Sequence, residues 1–273
     1  MTKSDQVLPA SAAHYRGGSG APLVLLHGGT SSWRCWESLL PTLIDRHDVL
    51  APNLPGHAGR PSSHPLAIGG LADAVETAMD DAGFDTAHIA GNSLGGWVAM
   101  ELARRGRARS VVALSPAGGW LPTETRVPKI FVSMRRQLRF GYFAIPLVMR
   151  VPALRRILMR IVCEHGDRLS PRQAMDAARD ALVCTLVDEL VHPVPAQTEP
   201  YGDLGIPILM AWGECDRLLT APRYCDPWRR LVPAASWRTL PGVGHLPMFD
   251  DPALVAGTIL DWAQRASTNQ QTG

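Results

Sequence analysis

The chain has 273 residues, 46 % of them hydrophobic and 19 % charged, which suits one large α/β domain with an insertion or two small domains. Its net charge is only +2, so whole-molecule electrostatics gives no reason to expect nucleic acid as a partner. In chain order, residues 23–26, 49–51, 88–90, 111–114 and 208–212 are short apolar runs bounded by Gly, Pro or Asn and read as strands. Several are apolar at every position, as parallel strands covered on both faces must be. Between them, 68–82, 94–105, 222–231 and 252–265 read as helices. The 94–105 helix is apolar on most sides for two turns (Leu94, Trp97, Val98, Ala99, Met100), which places it at a buried centre. Alternating strands and helices predict a doubly wound parallel sheet.

That rhythm breaks once. Residues 121–200 offer helical patterns punctuated by Pro128, Pro146, Pro152, Pro171, Pro193 and Pro195, without a convincing strand, and the alternation returns at Ile206. The expected organisation is a core of 1–120 and 201–273 with a helical cap inserted at 121–200. The polar tail, 267–273, is expected to fray. Five scattered cysteines (Cys35, Cys163, Cys184, Cys215, Cys225) form no C-x-x-C pair. This argues against a disulfide framework and a zinc site, and fits a reducing compartment. No apolar h-region follows Met1 to Gln6, and the longest apolar candidate, Phe140 to Met149, is too short to span a bilayer and is broken by Pro146. A soluble cytoplasmic protein is the expectation.

Gly91-Asn92-Ser93-Leu94-Gly95-Gly96 follows a strand and opens the buried helix. A serine at the tip of such a turn sits in strained backbone, so the residues two before and two after must be small, and the helix N-terminus behind it favours developing negative charge. A serine hydroxyl needs a base within reach, oriented by a third group. Gly242-Val243-Gly244-His245-Leu246-Pro247 presents one histidine on a glycine loop, and the strand before it ends in Gly213-Glu214-Cys215-Asp216-Arg217. Ser93, Asp216 and His245 therefore fall in the order nucleophile, acid, base on one sheet edge, with Glu214 as the rival acid. Two backbone amides should meet the oxyanion, each contributing roughly 3 kcal/mol: that of Leu94, and that of Gly29 in the loop His27-Gly28-Gly29-Thr30.

With these segments the chain resembles the α/β-hydrolase superfamily. The resemblance rests on the His-Gly-Gly loop at 27–29, Leu54-Pro55-Gly56-His57, the turn at 91–96, the acid turn at 213–216 and the histidine loop at 244–249. It implies an eight-stranded, mostly parallel sheet with the cap over the active site. One departure is Asn53, where the family's similar segment usually begins with an acid of structural role.

His27 and His57 read as structural and turn residues, Cys215, Trp33 and Trp36 as packing, and Trp120 as pocket wall or cap hinge, which makes it the substrate-binding candidate. No H-E-x-x-H, carboxylate cluster or phosphate-cradling loop is present, so neither metal nor cofactor is implied. The expected activity is hydrolysis of a hydrophobic carboxylic ester, thioester or lactone through an acyl-enzyme. The alternatives are carbon–carbon hydrolysis of a dienone-like diketone and ligand binding by a receptor-like member with little turnover. Members with an aspartate nucleophile, the haloalkane dehalogenases and epoxide hydrolases, are set aside because position 93 is Ser. Between Arg126 and Arg160 stand nine basic residues and no acidic one, interleaved with apolar ones such as Phe131, Met134, Leu138, Phe140, Leu147 and Ile157. The favoured reading is arginines facing solvent and apolar residues roofing the pocket. Contact with an anionic membrane surface or an acidic carrier is the other.

Overall fold

In the computed structural model, residues 13–62, 67–120, 123–141, 143–189, 196–197 and 199–271 are described. Leu121, Pro193, Pro195 and the segment Met1 to Gln6, on which parts of the sequence reading rest, lie outside them. Seven strands form one sheet: β1 (His14–Gly17), β2 (Ala21–Leu26), β3 (His47–Pro52), β4 (Ala87–Asn92), β5 (Ala108–Leu114), β6 (Ile208–Gly213) and β7 (Ser236–Leu240). Their order is β1-β3-β2-β4-β5-β6-β7. Only β1 runs antiparallel to its neighbour.

The all-apolar strands have a direct cause. Alternate side chains point to opposite faces, and both faces are covered. Val24 and Leu26 enter one buried cluster with Ile89, Met210 and Trp212; Leu23 and Leu25 enter another with Ala90, Leu209 and Ala211. Helices α2 (Ile68–Asp81) and α3 (Leu94–Arg104) close the first face through Leu71, Met79, Val98 and Met100. Helix α1 (Leu40–Ile44) closes the second through Leu40 and Leu43. Every residue of α3 from Leu94 to Ala103 is buried, as its apolar circumference predicts.

Between β5 and β6 the described chain is helical: α4 (Arg126–Gly141), α5 (Ile145–Val148), α6 (Pro152–Met159), α7 (Pro171–Val183) and α8 (Leu186–Glu189). Ile145, Met149, Met159, Cys163, Leu169, Ala174 and Ala178 form a buried cluster of their own there. After β6 come α9 (Cys225–Leu231), α10 (Pro247–Asp250) and α11 (Pro252–Gln271); α9 packs Trp228 into the first cluster and α11 packs Val255 and Ile259 into the second. No helix among the described residues is long and apolar enough to cross a membrane.

Three expectations are corrected. The sheet has seven strands among the described residues instead of eight, with the short antiparallel β1 as the edge strand beside β3. Helix α9 starts at Cys225 and not at residue 222: a separate turn precedes it, with Tyr224 N–H donating to Thr220 O at 3.2 Å. Helix α11 runs on to Gln271, through most of the tail expected to fray, with Ser267 and Thr268 hydroxyls donating back to Ala263 O and Gln264 O.

Candidate active site

Strand β4 ends at Asn92 and α3 begins at Leu94, so Ser93 alone makes the turn between them. Its backbone has φ 51° and ψ −115°, a conformation that a residue with a Cβ holds only under constraint. Hydrogen bonds supply the constraint: Ser93 N–H donates to Leu114 O (2.9 Å), and Ser93 O accepts from Trp97 N (3.1 Å) and Ala117 N (2.9 Å). The small neighbours are obligatory. A Cβ on Gly91 would lie 2.2 Å from Gly95 O, and one on Gly95 would lie 2.3 Å from Leu26 O.

The loop after β7 brings His245 to the same edge. Its Nδ1 lies 2.7 Å from Asp216 Oδ2, and the two side chains are only 3 % and 1 % exposed. Asp216 is fixed in turn: Oδ1 accepts from the amides of Leu218 (2.9 Å) and Leu219 (2.8 Å). With a carboxylate as its partner Nδ1 carries the ring proton, and Nε2 is left as a lone pair. Glu214, the rival acid, is occupied elsewhere, its Oε2 accepting from Gly242 N–H at 2.8 Å. Ser93 and His245 line one cavity of about 430 Å³ together with Gly29 and Asn92. Apart from His245, no titratable side chain among the described residues lines it; its walls are Phe131, Met134, Leu138, Ile145, Met149 and similar residues from α4 to α7.

The loop at 27–30 is held from behind. His27 Nε2 accepts from Leu54 N–H at 3.0 Å, so its Nδ1 is protonated and donates to Gly28 O at 2.8 Å. Complete burial, and then the neighbouring His57, push the His27 pKa down to about 3, which keeps the ring neutral. His57 is a turn residue, its Nδ1 2.9 Å from Pro55 O. Asn53, in the place of the family's acid, accepts Trp33 N–H at 2.8 Å, a structural task. A Cβ on Gly28 would lie 2.9 Å from Asn92 Oδ1, whereas one on Gly29 would meet only Leu186 at 3.5 Å. Among the described residues the N–H groups of Gly29 and Leu94 donate to no protein acceptor, and both residues line a smaller pocket of about 40 Å³ beside Ser93. Trp120 lines that smaller pocket and not the large cavity. It meets Trp97 edge-on at 6.1 Å.

Sequence reading missed the groups that tie these loops together. Asn92 Nδ2 donates to His245 O (2.9 Å) and Leu114 O (3.2 Å), so the residue before Ser93 holds the histidine loop. Buried Asp250 accepts Gly244 N (2.7 Å), Glu164 N (3.0 Å) and His165 N (2.6 Å), linking that loop to the helical segment. Arg126 donates to Arg217 O (2.8 Å) and Leu218 O (2.7 Å), and Asp180 of α7 accepts the Ser32 hydroxyl. Asp250 lies near enough to His245 in sequence to invite inspection, but nothing local marks its partners at 164 and 165.

Residues 23–258 match the profile of the alpha/beta hydrolase family. Epoxide hydrolase EphH of Mycobacterium tuberculosis is 35 % identical over 203 residues, covering 71 % of this chain and 94 % of that protein. A 2-hydroxymuconate semialdehyde hydrolase of Pseudomonas is 30 % identical over 134 residues, covering 44 % of this chain and 47 % of that protein. Among solved structures, a thermophilic esterase from Thermogutta terrifontis superposes with a TM-score of 0.71 at 20 % identity, covering 93 % of each chain; at that identity the likeness concerns the fold alone.

Proposed function

The chain belongs to the alpha/beta hydrolase family, and we propose that it is a serine hydrolase that cleaves a small-to-medium hydrophobic carboxylic ester, or its thioester or lactone counterpart, through an acyl-enzyme. The observation that carries this reading is the buried 2.7 Å contact between His245 Nδ1 and Asp216 Oδ2, in the wall of a cavity that Ser93 also lines. Ser93 Oγ attacks the carbonyl carbon while His245 Nε2 takes its proton, and the Asp216 carboxylate stabilises the imidazolium. The oxyanion is met by the amides of Gly29 and Leu94, which donate to no acceptor among the described residues, the latter at the N-terminus of α3. The bond to the leaving oxygen then breaks as His245 protonates it. Water, deprotonated by the same ring, releases the acid and restores Ser93. The apolar cavity of about 430 Å³ suits the larger hydrophobic part of the substrate. The pocket of about 40 Å³ beside Trp120 suits a small group and gives Trp120 its substrate contact.

Epoxide opening is the second reading, because a relative with 35 % identity carries that name. Chemistry favours the ester. Attack of a serine on an epoxide carbon leaves an ether, which offers water no carbonyl to attack, so turnover would need His245 to direct water straight at the ring. No Tyr, Asp, Glu or Lys among the described residues lines the large cavity to protonate the opening oxygen. Carbon–carbon hydrolysis finds support in the semialdehyde hydrolase relative, which matches under half of the chain.

A fluorophosphonate probe should label Ser93, and Ser93→Ala should abolish labelling and lower kcat by about 10⁴- to 10⁶-fold with the protein still folded. On p-nitrophenyl esters from acetate to palmitate, kcat/KM should rise to about hexanoate, each buried methylene contributing up to about 0.8 kcal/mol. Probe adducts on another serine would sink the nucleophile, and a steady fall from acetate onward would refute an open apolar pocket. Parallel arms with styrene oxide and a dienone-like diketone separate the other readings. At most one slow turnover on every substrate would identify a binding protein.

A further inference from the structure

Exposed apolar side chains are concentrated in one place. Among the described residues, every large hydrophobic side chain that stands in solvent lies between Val132 and Leu158, on α4, α5, α6 and their connections. Phe140 is 80 % exposed, Phe143 93 %, Leu147 68 % and Ile157 67 %. A cluster of this kind on one face of a folded chain marks an interaction surface. The bland reading of the segment, apolar residues inward and arginines outward, accounts for Phe131, Met134 and Leu138, which line the cavity. It does not account for Phe140, Phe143 and Leu147.

The segment's own charge has one sign, and the acids that meet it come from outside it: Asp188 pairs with Arg135, and Glu164 and Asp167 with Arg156. From 126 to 160 there is no acidic residue, and Lys129, Arg136, Arg139, Arg150 and Arg160 form no ion pair among the described residues. Arg136 sits over the Phe140 ring at 5.7 Å, so cation and aromatic ring are presented together. The face also connects to the site already described: Leu154, Ile157 and Leu158 line the cavity that holds Ser93 and His245, and they are 40 %, 67 % and 54 % exposed.

We propose that this face of α4 to α6 docks on an anionic lipid surface. Cations alone would suit any acidic partner, and apolar side chains alone any apolar one. An anionic bilayer supplies both, phosphates for the guanidinium groups and acyl chains for Phe140, Phe143 and Leu147. A second copy of the chain is disfavoured by charge, since pairing this face with itself sets unpaired cations against unpaired cations. An acidic protein would neutralise the arginines and leave the protruding aromatics to be covered by something else. Because Leu154, Ile157 and Leu158 both line the cavity and stand exposed, a substrate held in the lipid layer would have a route to Ser93 along this face; this consequence, unlike the docking itself, rests on the ester reading.

Sedimentation with vesicles tests docking apart from turnover. The full chain carrying Ser93→Ala is mixed with vesicles of phosphatidylcholine alone, or of phosphatidylcholine and phosphatidylglycerol in equal parts. Binding is expected on the anionic vesicles only, falling at least about tenfold between low salt and half-molar salt as the surface potential is screened. The double variants Phe140→Ser with Phe143→Ser, and Arg136→Glu with Arg139→Glu, should each weaken binding at least about fivefold. Placed in the otherwise unaltered chain, both should leave hydrolysis of soluble p-nitrophenyl butyrate unchanged. The proposal is overturned if the protein stays in the supernatant with anionic vesicles at low salt. It is equally overturned if the aromatic variant binds as well as its parent, which would mean unspecific charge adsorption, or if the aromatic pair instead governs a dimer seen by analytical ultracentrifugation. A protein that binds vesicles and cleaves no ester would retain the docking face and lose only the ester reading.

Discussion

Asp216→Asn changes one oxygen to a nitrogen and leaves the shape of the side chain intact, so its effect can be worked from the hydrogen bonds. The new carboxamide has two orientations. With its oxygen toward the amides of Leu218 and Leu219, it keeps the two bonds that Oδ1 now makes at 2.9 and 2.8 Å and turns its NH₂ toward His245. Turned the other way, it sets NH₂ against two buried N–H donors and loses both bonds, at about 1 kcal/mol each or more. The first orientation therefore wins by roughly 2 kcal/mol, and it obliges His245 Nδ1 to accept. The ring proton then moves to Nε2, the atom that must take the proton of Ser93. The base is present in the wrong tautomer and has lost the charge that stabilises its cation. A loss of about 10³- to 10⁴-fold in kcat follows, or about 4 to 5.5 kcal/mol of barrier. Glu214→Gln should cost less than about threefold, because a carboxamide oxygen can still accept Gly242 N–H. The assay is kcat on p-nitrophenyl butyrate at neutral pH, with melting curves to show that both variants are folded. If Asp216→Asn costs less than about tenfold, or if the two losses are reversed, the assignment of the acid is wrong.

Asn92→Ala removes the bonds to His245 O and Leu114 O. It should lower kcat by about 10- to 100-fold with KM little changed and the melting temperature down by a few degrees; an unchanged kcat would show that the histidine loop needs no such anchor. Acid stability offers an independent check. Burial pushes the pKa of His27 down to about 3 and that of His88 to about 4, both below the unfolded value of about 6.5. The stability these rings contribute is complete above that value and is lost as the pH falls toward the folded values, since the unfolded chain takes up protons the native one refuses. The loss approaches about 1.4 kcal/mol per pH unit for each ring. His88→Asn should therefore flatten the fall in urea midpoint between about pH 6 and 4.5, and parallel slopes for variant and parent would refute the linkage.

What was legible in the sequence follows from how locally each feature is encoded. The central strands announced themselves because both faces are covered, so Leu23 to Leu26 have no polar position. Edge strands did not. In β1 the solvent side carries Arg16, paired with Asp48 at 2.9 Å, and β7 reads Ser-Trp-Arg-Thr-Leu with only Leu240 fully buried, so neither stands out as an apolar run. The turn around Ser93 was legible because its geometry forbids side chains at Gly91 and Gly95, and a ban on Cβ atoms is written in the residue type itself. Asp216 was legible by its place after the apolar strand at 208–212, and His245 by the glycine loop that presents it, in the order nucleophile, acid, base. What could not be read is pairing at a distance. Asn92 reaches a carbonyl 153 residues away, and Asp250 reaches amides 86 and 85 residues before it. In each case the partner is backbone, which has no identity in the sequence.

The helical segment between β5 and β6 shows the same limit from the other side. Its apolar residues are spaced for helices, and spacing alone cannot say which of two apolar faces meets the cavity. Phe131 and Phe140 lie on the same helix α4, yet the first lines the cavity and the second is 80 % exposed. A helix that is apolar on its inner face alone needs no partner beyond its own core. One that also presents Phe140, 80 % exposed, next to Arg136 carries a second apolar surface, the one proposed above to meet lipid. Partial legibility of the segment has a physical cause: the pattern superimposes two apolar sets, one lining the cavity and one exposed, on a single helical period.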